Sequence, residues 1–238
     1  MKGRLTLIPT PLSESGVLEP KALELLLSAS SEENRESSIF VIEDLKPGRK
    51  RWLEFGLPRS CVEHFVCYNE HTADKVSKEL LEKLKQGFNV YLMSDGGLPA
   101  FYDPGVELVD LCYKNQIQVT STPFFNSVAL ALALSGFSHK KFWFEGFLPL
   151  DGNERQKSIK NLFLMKSTSI FMDTPYRLKR VLEELIEQSG GSKKQVFLAM
   201  DLNSNSEELK RGSPKEILSQ LLSSESPLKR EFVIVISE

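Results

Sequence analysis

Cysteine is sparse in this chain: Cys61, Cys67 and Cys112 are the only three in 238 residues. Their scatter and odd number argue against a disulfide framework, and no Cys-x-x-Cys or paired-histidine spacing suggests zinc or another metal. Each reads as a small buried or half-buried apolar residue. Long apolar runs are also missing, so nothing is expected to span a bilayer. The only apolar run near the N-terminus is broken by Pro9 and Pro11. No secretory leader is expected there, and cytoplasm is the default compartment. Excess positive charge is absent too. The net charge is −2, which excludes a basic nucleic-acid binder of the whole-chain kind. No Gly-x-Gly-x-x-Gly follows the first apolar run, so a dinucleotide fold of the usual type is unsupported.

What is present is an almost unbroken alternation of strand-like and helix-like segments, which predicts an α/β protein. The hydrophobic share of 41% is enough for a substantial core. Strand-like runs fall at 4–8, 38–42, 63–68, 89–93 and 117–121. Helical runs fall at 21–29, 72–86, 104–115 and 126–135. In the second of these Ala73, Val76, Leu80 and Leu84 share a face and Gly87 is the stop. Segment 126–135 is apolar nearly all round, which predicts a buried helix. The alternation restarts after Gly136–Lys141, with strands at 142–145, 168–172, 195–200 and 231–237 and helices at 154–166, 175–188 and 214–223. Two α/β domains follow, 1–138 and 139–238. Ser213-Pro214-Lys215-Glu216 fits a capping box, and Asn203–Ser206 reads as a loop.

The stretch Ser94-Asp95-Gly96-Gly97-Leu98-Pro99-Ala100-Phe101-Tyr102-Asp103-Pro104-Gly105 is the most informative. It follows the strand-like run Asn89–Met93, and Asp103-Pro104 reads as an N-cap before a first-turn proline. Open α/β sheets bind ligands where a strand ends in such a loop. Glycines let backbone approach a ligand, and Asp95 can accept hydrogen bonds. Glu43-Asp44 ends another strand and is followed by Lys46, Arg49, Lys50 and Arg51, a basic group placed to hold phosphates. The remaining basic clusters read as solvated surface.

Together with Pro9-Thr10-Pro11, Glu43-Asp44 and Phe144-Glu145-Gly146-Phe147-Leu148-Pro149, this loop resembles the tetrapyrrole-methylase-like, S-adenosylmethionine-dependent methyltransferases. Within them it is most similar to the branch that methylates the ribose 2′-hydroxyl of a cytidine in small-subunit ribosomal RNA. The resemblance spans nearly the whole chain. It implies two α/β domains with the cofactor cleft between them, S-adenosyl-L-methionine as cofactor, ribosomal RNA or the small subunit as partner, and a homodimer. Carried over by position, Asp95 and Leu98 line the cofactor, Pro9 shapes its wall, and Asn126 and Ser127 approach it from a helix start. Phe171, Met172 and Ala199, at strand ends of the second domain, pack the adenine or bond to it through backbone; core packing is the competing reading for Met172 and Ala199. Glu43 and Asp44 are the catalytic candidates, one of them positioning the ribose hydroxyl or accepting its proton; a capped turn is the competing reading. Lys46, Arg155 and Arg177 are the substrate-phosphate candidates, with a surface role the alternative for both arginines.

The chain departs from the family where it has Leu45-Lys46 in place of Thr-Arg, Leu12-Ser13-Glu14-Ser15 after Pro11, Pro123-Phe124-Phe125-Asn126 in place of Pro-Gly-Pro-Ser, and Gly96-Gly97-Leu98-Pro99 in place of Ala-Gly-Thr-Pro. Lysine keeps the charge of arginine but not its planar fork. These changes keep two other functions open: methylation of a tetrapyrrole or other small molecule, and a non-catalytic paralogue that binds RNA or protein.

Overall fold

The computed structural model describes residues 1–13, 16–124, 126–224 and 227–238. The departures at Glu14, Ser15 and Phe125 lie outside the described residues. The chain forms two compact units, Met1–Asn126 and Ser127–Glu238.

In the first unit the apolar runs become β1 (Arg4–Ile8), β2 (Ser38–Ile42), β3 (Val66–Cys67), β4 (Asn89–Met93) and β5 (Gln118–Ser121). They make one sheet in the order β3-β2-β4-β1-β5, and every pairing is parallel. Strand residues alternate between faces. Val41, Val90 and Leu92 therefore join one core with Leu80, Leu84 and Leu108 from α3 (Ala73–Lys85) and α4 (Val106–Lys114). Phe40, Ile42, Tyr91 and Met93 join the other with Ala22 and Leu26 of α1 (Pro20–Ala29) and Trp52 of α2 (Leu45–Glu54). Helices cover both faces, as an all-parallel sheet requires.

Two local expectations fail here. The run 63–68 is strand only at β3, because Arg59–His64 coils into a 3-10 turn. Helix α2 is not among the expected helices. In the structure Pro47 lies in the first turn, where no intrahelical bond is lost. Gly48 lets the helix lie against β2: a Cβ there would come within 2.8 Å of Ile42 Cδ1.

The second unit holds β6 (Phe142–Phe147), β7 (Thr168–Asp173), β8 (Val196–Met200), β9 (Glu208–Gly212) and β10 (Phe232–Ile236) in the order β6-β7-β10-β8-β9. Only β6 and β7 run parallel; β10 is antiparallel to both β7 and β8, and β9 to β8. One core joins Phe171, Leu198, Met200, Phe232, Ile234 and Ile236 to α6 (Gly152–Leu164), α7 (Leu178–Gln188) and α8 (Pro214–Ser223). Helix α5 (Ser127–Ser135) packs against β7, β8 and β10.

That packing puts the break between units at Asn126/Ser127, ahead of the expected Gly136–Lys141. Periodicity locates where alternation restarts, but α5 precedes the strands it covers. Helix α5 is also not sealed all round. Val128, Ala131, Leu132 and Ser135 are buried, whereas Ala129, Ala133 and Leu134 face outward. Strand β9 was missed because its Leu-Lys-Arg sequence is a half-exposed sheet edge without an apolar stripe. The capping box at Ser213 and Glu216 forms as expected, and 203–206 is a turn.

Candidate functional site

Because every strand of the first sheet runs the same way, the segments after β1, β2, β3 and β4 all emerge at its carboxyl edge. The loop after β4 is locked to the loop after β1. Thr10 and Gly97 exchange backbone bonds of 2.9 and 3.0 Å, Thr10 Oγ1 donates to Ser94 O at 3.0 Å, and Ser94 Oγ donates to Gly97 O at 2.8 Å. Gly97 sits at φ +95° and Gly105 at φ +143°, and a Cβ at Gly105 would press on Ala100 and Leu92 at 2.9 and 3.0 Å. Gly105, not Asp103, is the N-cap of α4, which begins at Val106. The Asp103-Pro104 reading is thereby corrected: both residues lie ahead of the cap.

Four carboxylates collect at this edge: Glu43, Asp44, Asp95 and Asp103. Burial first, then the charges of Glu43 and Asp44, push Asp95 up to about 6, although Arg51 and a hydrogen bond from the Asp44 backbone oppose the shift. Burial, then Glu43 and Asp95, push Asp103 up to about 7. Burial, together with Asp44 and Asp95, also raises the Cys67 thiol. Asp44 is an N-cap in its own right: its Oδ1 accepts from Lys46 N at 2.9 Å, and the side chain is exposed while Glu43 is half-buried. Lys46 is exposed.

The structure thus gathers Glu43, Asp44, Asp95, Leu98 and Pro9 at one edge of one sheet. Asn126 ends this unit and Ser127 opens α5. Asp103, read from the sequence as a helix cap, and Arg51, read as one of the phosphate-holding cations, join this edge in other roles.

In the second unit the motif Phe144–Pro149 builds a bulge. Registry with β7 slips between Phe144 and Gly146, and Gly146 takes φ +80°. Glu145 at the bulge accepts from Ser158 Oγ at 2.6 Å and from Trp143 Nε1 at 2.5 Å. Phe171 lies wholly inside the core, so only its backbone can meet a ligand. Its neighbour Met172 points to the other face and is half-buried. Met172 and Ala199 flank the same residue, Val233 of β10; Ala199 is fully buried.

Arg155 is corrected outright. It lies in the expected helix, α6, and is 1% exposed. Its Nη2 meets Asp173 Oδ2 at 2.5 Å and its Nε meets Glu184 Oε2 at 2.6 Å. A guanidinium so enclosed has no face for a substrate phosphate. Arg177, in the 3-10 turn Pro175–Arg177, reaches Asp173 Oδ1 at 3.4 Å and is partly exposed.

Among the described residues no group of histidine, cysteine and carboxylate side chains is arranged to hold a metal, and no helix is long and apolar enough to cross a membrane. All three cysteines are free thiols.

The sequence profile of the Tetrapyrrole (Corrin/Porphyrin) Methylases matches residues 17–218. The chain is 30% identical over 235 residues to the "Ribosomal RNA small subunit methyltransferase I" of Thermotoga maritima, covering 99% of this chain and 98% of that protein. It is likewise 30% identical to the protein so named from Halalkalibacterium halodurans, over 99% of this chain and 76% of the relative. Among solved structures, a diphthine synthase superposes with a TM-score of 0.68 at 14% identity, covering 99% of this chain and 90% of that one, which is a likeness of fold.

Proposed function

Because this chain belongs to the tetrapyrrole (corrin/porphyrin) methylases and is an S-adenosylmethionine-dependent methyltransferase, we propose that its methyl acceptor is a ribose 2′-hydroxyl of small-subunit ribosomal RNA. One observation carries the reading: the similarity to the Thermotoga maritima ribosomal RNA methyltransferase runs end to end through both chains.

The first unit's carboxyl edge fits the cofactor by charge. S-adenosylmethionine presents a cationic sulfur and an amino group, and Asp95 and its acidic neighbours oppose them with carboxylates. When bound, the cofactor supplies an electrophilic methyl group. The residues assigned to it are Pro9, Asp95, Leu98 and Asn126 in the first unit, and Ser127, Met172 and the backbone of Phe171 and Ala199 in the second. An alcohol attacking a methyl group must lose its proton. Glu43 or Asp44 accepts that proton or orients the hydroxyl. Lys46 and Arg177, the exposed and partly exposed cations, hold RNA phosphate. The enzyme works as a homodimer in the cytoplasm.

The test uses small ribosomal subunits lacking this modification, with isotopically labelled S-adenosylmethionine. Label recovered as a 2′-O-methylated nucleoside after nuclease digestion is the expected result. Label on a tetrapyrrole but not on the subunit overturns the acceptor. Sedimentation of the protein as a monomer at tens of micromolar overturns the dimer.

A further inference from the structure

Arg51 is an arginine that does not face solvent. It is 8% exposed, although Lys46, Arg49 and Lys50 around it are exposed or nearly so. From α2 its guanidinium reaches two other loops. Nη2 donates to Pro11 O and Ser13 O, both at 2.8 Å, and Nη1 donates to Asp95 O. Its Cζ lies 5.8 Å from the Phe55 ring centroid, and a Cβ at Gly96 would lie 3.6 Å from Nη1. A group that bound substrate phosphate would turn outward. This one joins the loop after β1 to the loop after β4.

We propose that Arg51 is a positioning residue for cofactor binding: it fixes the backbone of the loop that carries Asp95 and supplies the positive charge beside that carboxyl. The proposal rests on the reading that Asp95 binds S-adenosylmethionine. Only arginine fits the task. Its planar fork directs several N–H groups at once, whereas lysine offers a point charge. The electrostatic surroundings give the charge its importance. Asp95 faces Glu43 and Asp44 from the end of β2 and the start of α2, Asp103 from its own loop and Cys67 from β3. Burial, Glu43 and Asp44 raise the Asp95 pKa, and Arg51 opposes them. Without Arg51 the carboxyl would take up its proton nearer neutral pH and lose its attraction for a cationic ligand. The loop would also lose its tie to α2.

The experiment compares wild type, Arg51→Gln and Arg51→Lys by two readouts. One is the ¹³C-carboxyl NMR titration of Asp95, assigned against Asp95→Asn. The other is calorimetric titration with S-adenosylmethionine from pH 5.5 to 8.5, with melting temperature recorded for each variant. Asp95 should titrate higher in Arg51→Gln than in wild type, and less so in Arg51→Lys. The acid limb of cofactor affinity should move with it; a one-unit move costs about tenfold at pH values below both midpoints. An Asp95 midpoint unmoved in the folded variants overturns the proposal, as does a moved midpoint with an unmoved affinity profile. Should Arg51→Gln not fold, Arg51→Lys carries the same comparison. A wild type that binds no S-adenosylmethionine at any pH refutes the assignment of Asp95 to the cofactor. The NMR midpoints then still decide whether Arg51 governs Asp95.

Discussion

Arg51 Nη1 donates to the backbone carbonyl of Asp95, so helix α2, which follows β2, and the turn that ends β4 are joined through a guanidinium. Asp44 can be tested apart from that tie, because its own side chain caps α2 by accepting from Lys46 N.

Asp44→Asn and Asp44→Ala should behave differently. Asparagine caps a helix about as well as aspartate, whereas alanine costs about 1 kcal/mol. If the carboxylate accepts the ribose proton, Asp44→Asn lowers methyl transfer by roughly 10²–10⁴ with an unchanged melting temperature. Full activity in Asp44→Asn, with lower stability only in Asp44→Ala, would make Asp44 a cap and nothing more.

Asp95→Ala should weaken S-adenosylmethionine binding by about ten- to a hundred-fold, the worth of one hydrogen bond to a charged group. The side chain sits beyond the end of β4 and outside the apolar clusters, so no core cavity opens. Calorimetric titration of the folded variant checks this, and an unchanged affinity would remove Asp95 from the binding residues.

Asp103→Asn should flatten the pH dependence of stability. The folded-state pKa of Asp103 is about 7, above the ordinary aspartate value of about 3.9. Between those values the folded protein holds a proton that the unfolded chain has lost. Stability therefore falls as pH rises through this window. Asparagine cannot ionise, so the variant should gain melting temperature relative to wild type at pH 8 and much less at pH 4. An identical difference at both pH values would contradict the elevated pKa.

Arg155→Ala should destabilise the second unit severely. It leaves Asp173 and Glu184 without their buried cation, a loss of about 3–5 kcal/mol. Urea unfolding of the variant measures it. A variant of normal stability but weakened RNA binding would restore the substrate role that the burial of Arg155 argues against.

How much of this was legible in advance differs from element to element. Strand β1 and strand β4 were readable to the residue, because a short apolar run between polar turns has few alternatives. The carboxyl-edge loop was equally plain in its Asp-Gly-Gly sequence. Helix α2 was not readable, because Pro47 and Gly48 look like a stop until Ile42 is placed beneath Gly48. Arg155 and Arg51 were misread for a shared reason. Both are charged residues in polar stretches, and nothing local tells a buried guanidinium from a solvated one. Asp173 and Glu184 lie eighteen and twenty-nine residues from Arg155 in sequence, and the Arg51 partners are backbone carbonyls about forty residues away on either side.

The sequence by itself determined the alternating elements, the division into two α/β units and the family, because these depend on hydrophobic period and on short motifs with local turn chemistry. Tertiary structure decided which strands run antiparallel in the second sheet, that α5 belongs with that sheet, and which charged groups face inward. Those outcomes depend on partners distant in the chain. Burial raises the cost of an unpaired charge, so the fate of Arg51, Asp103 and Arg155 was set by what folding brought to them.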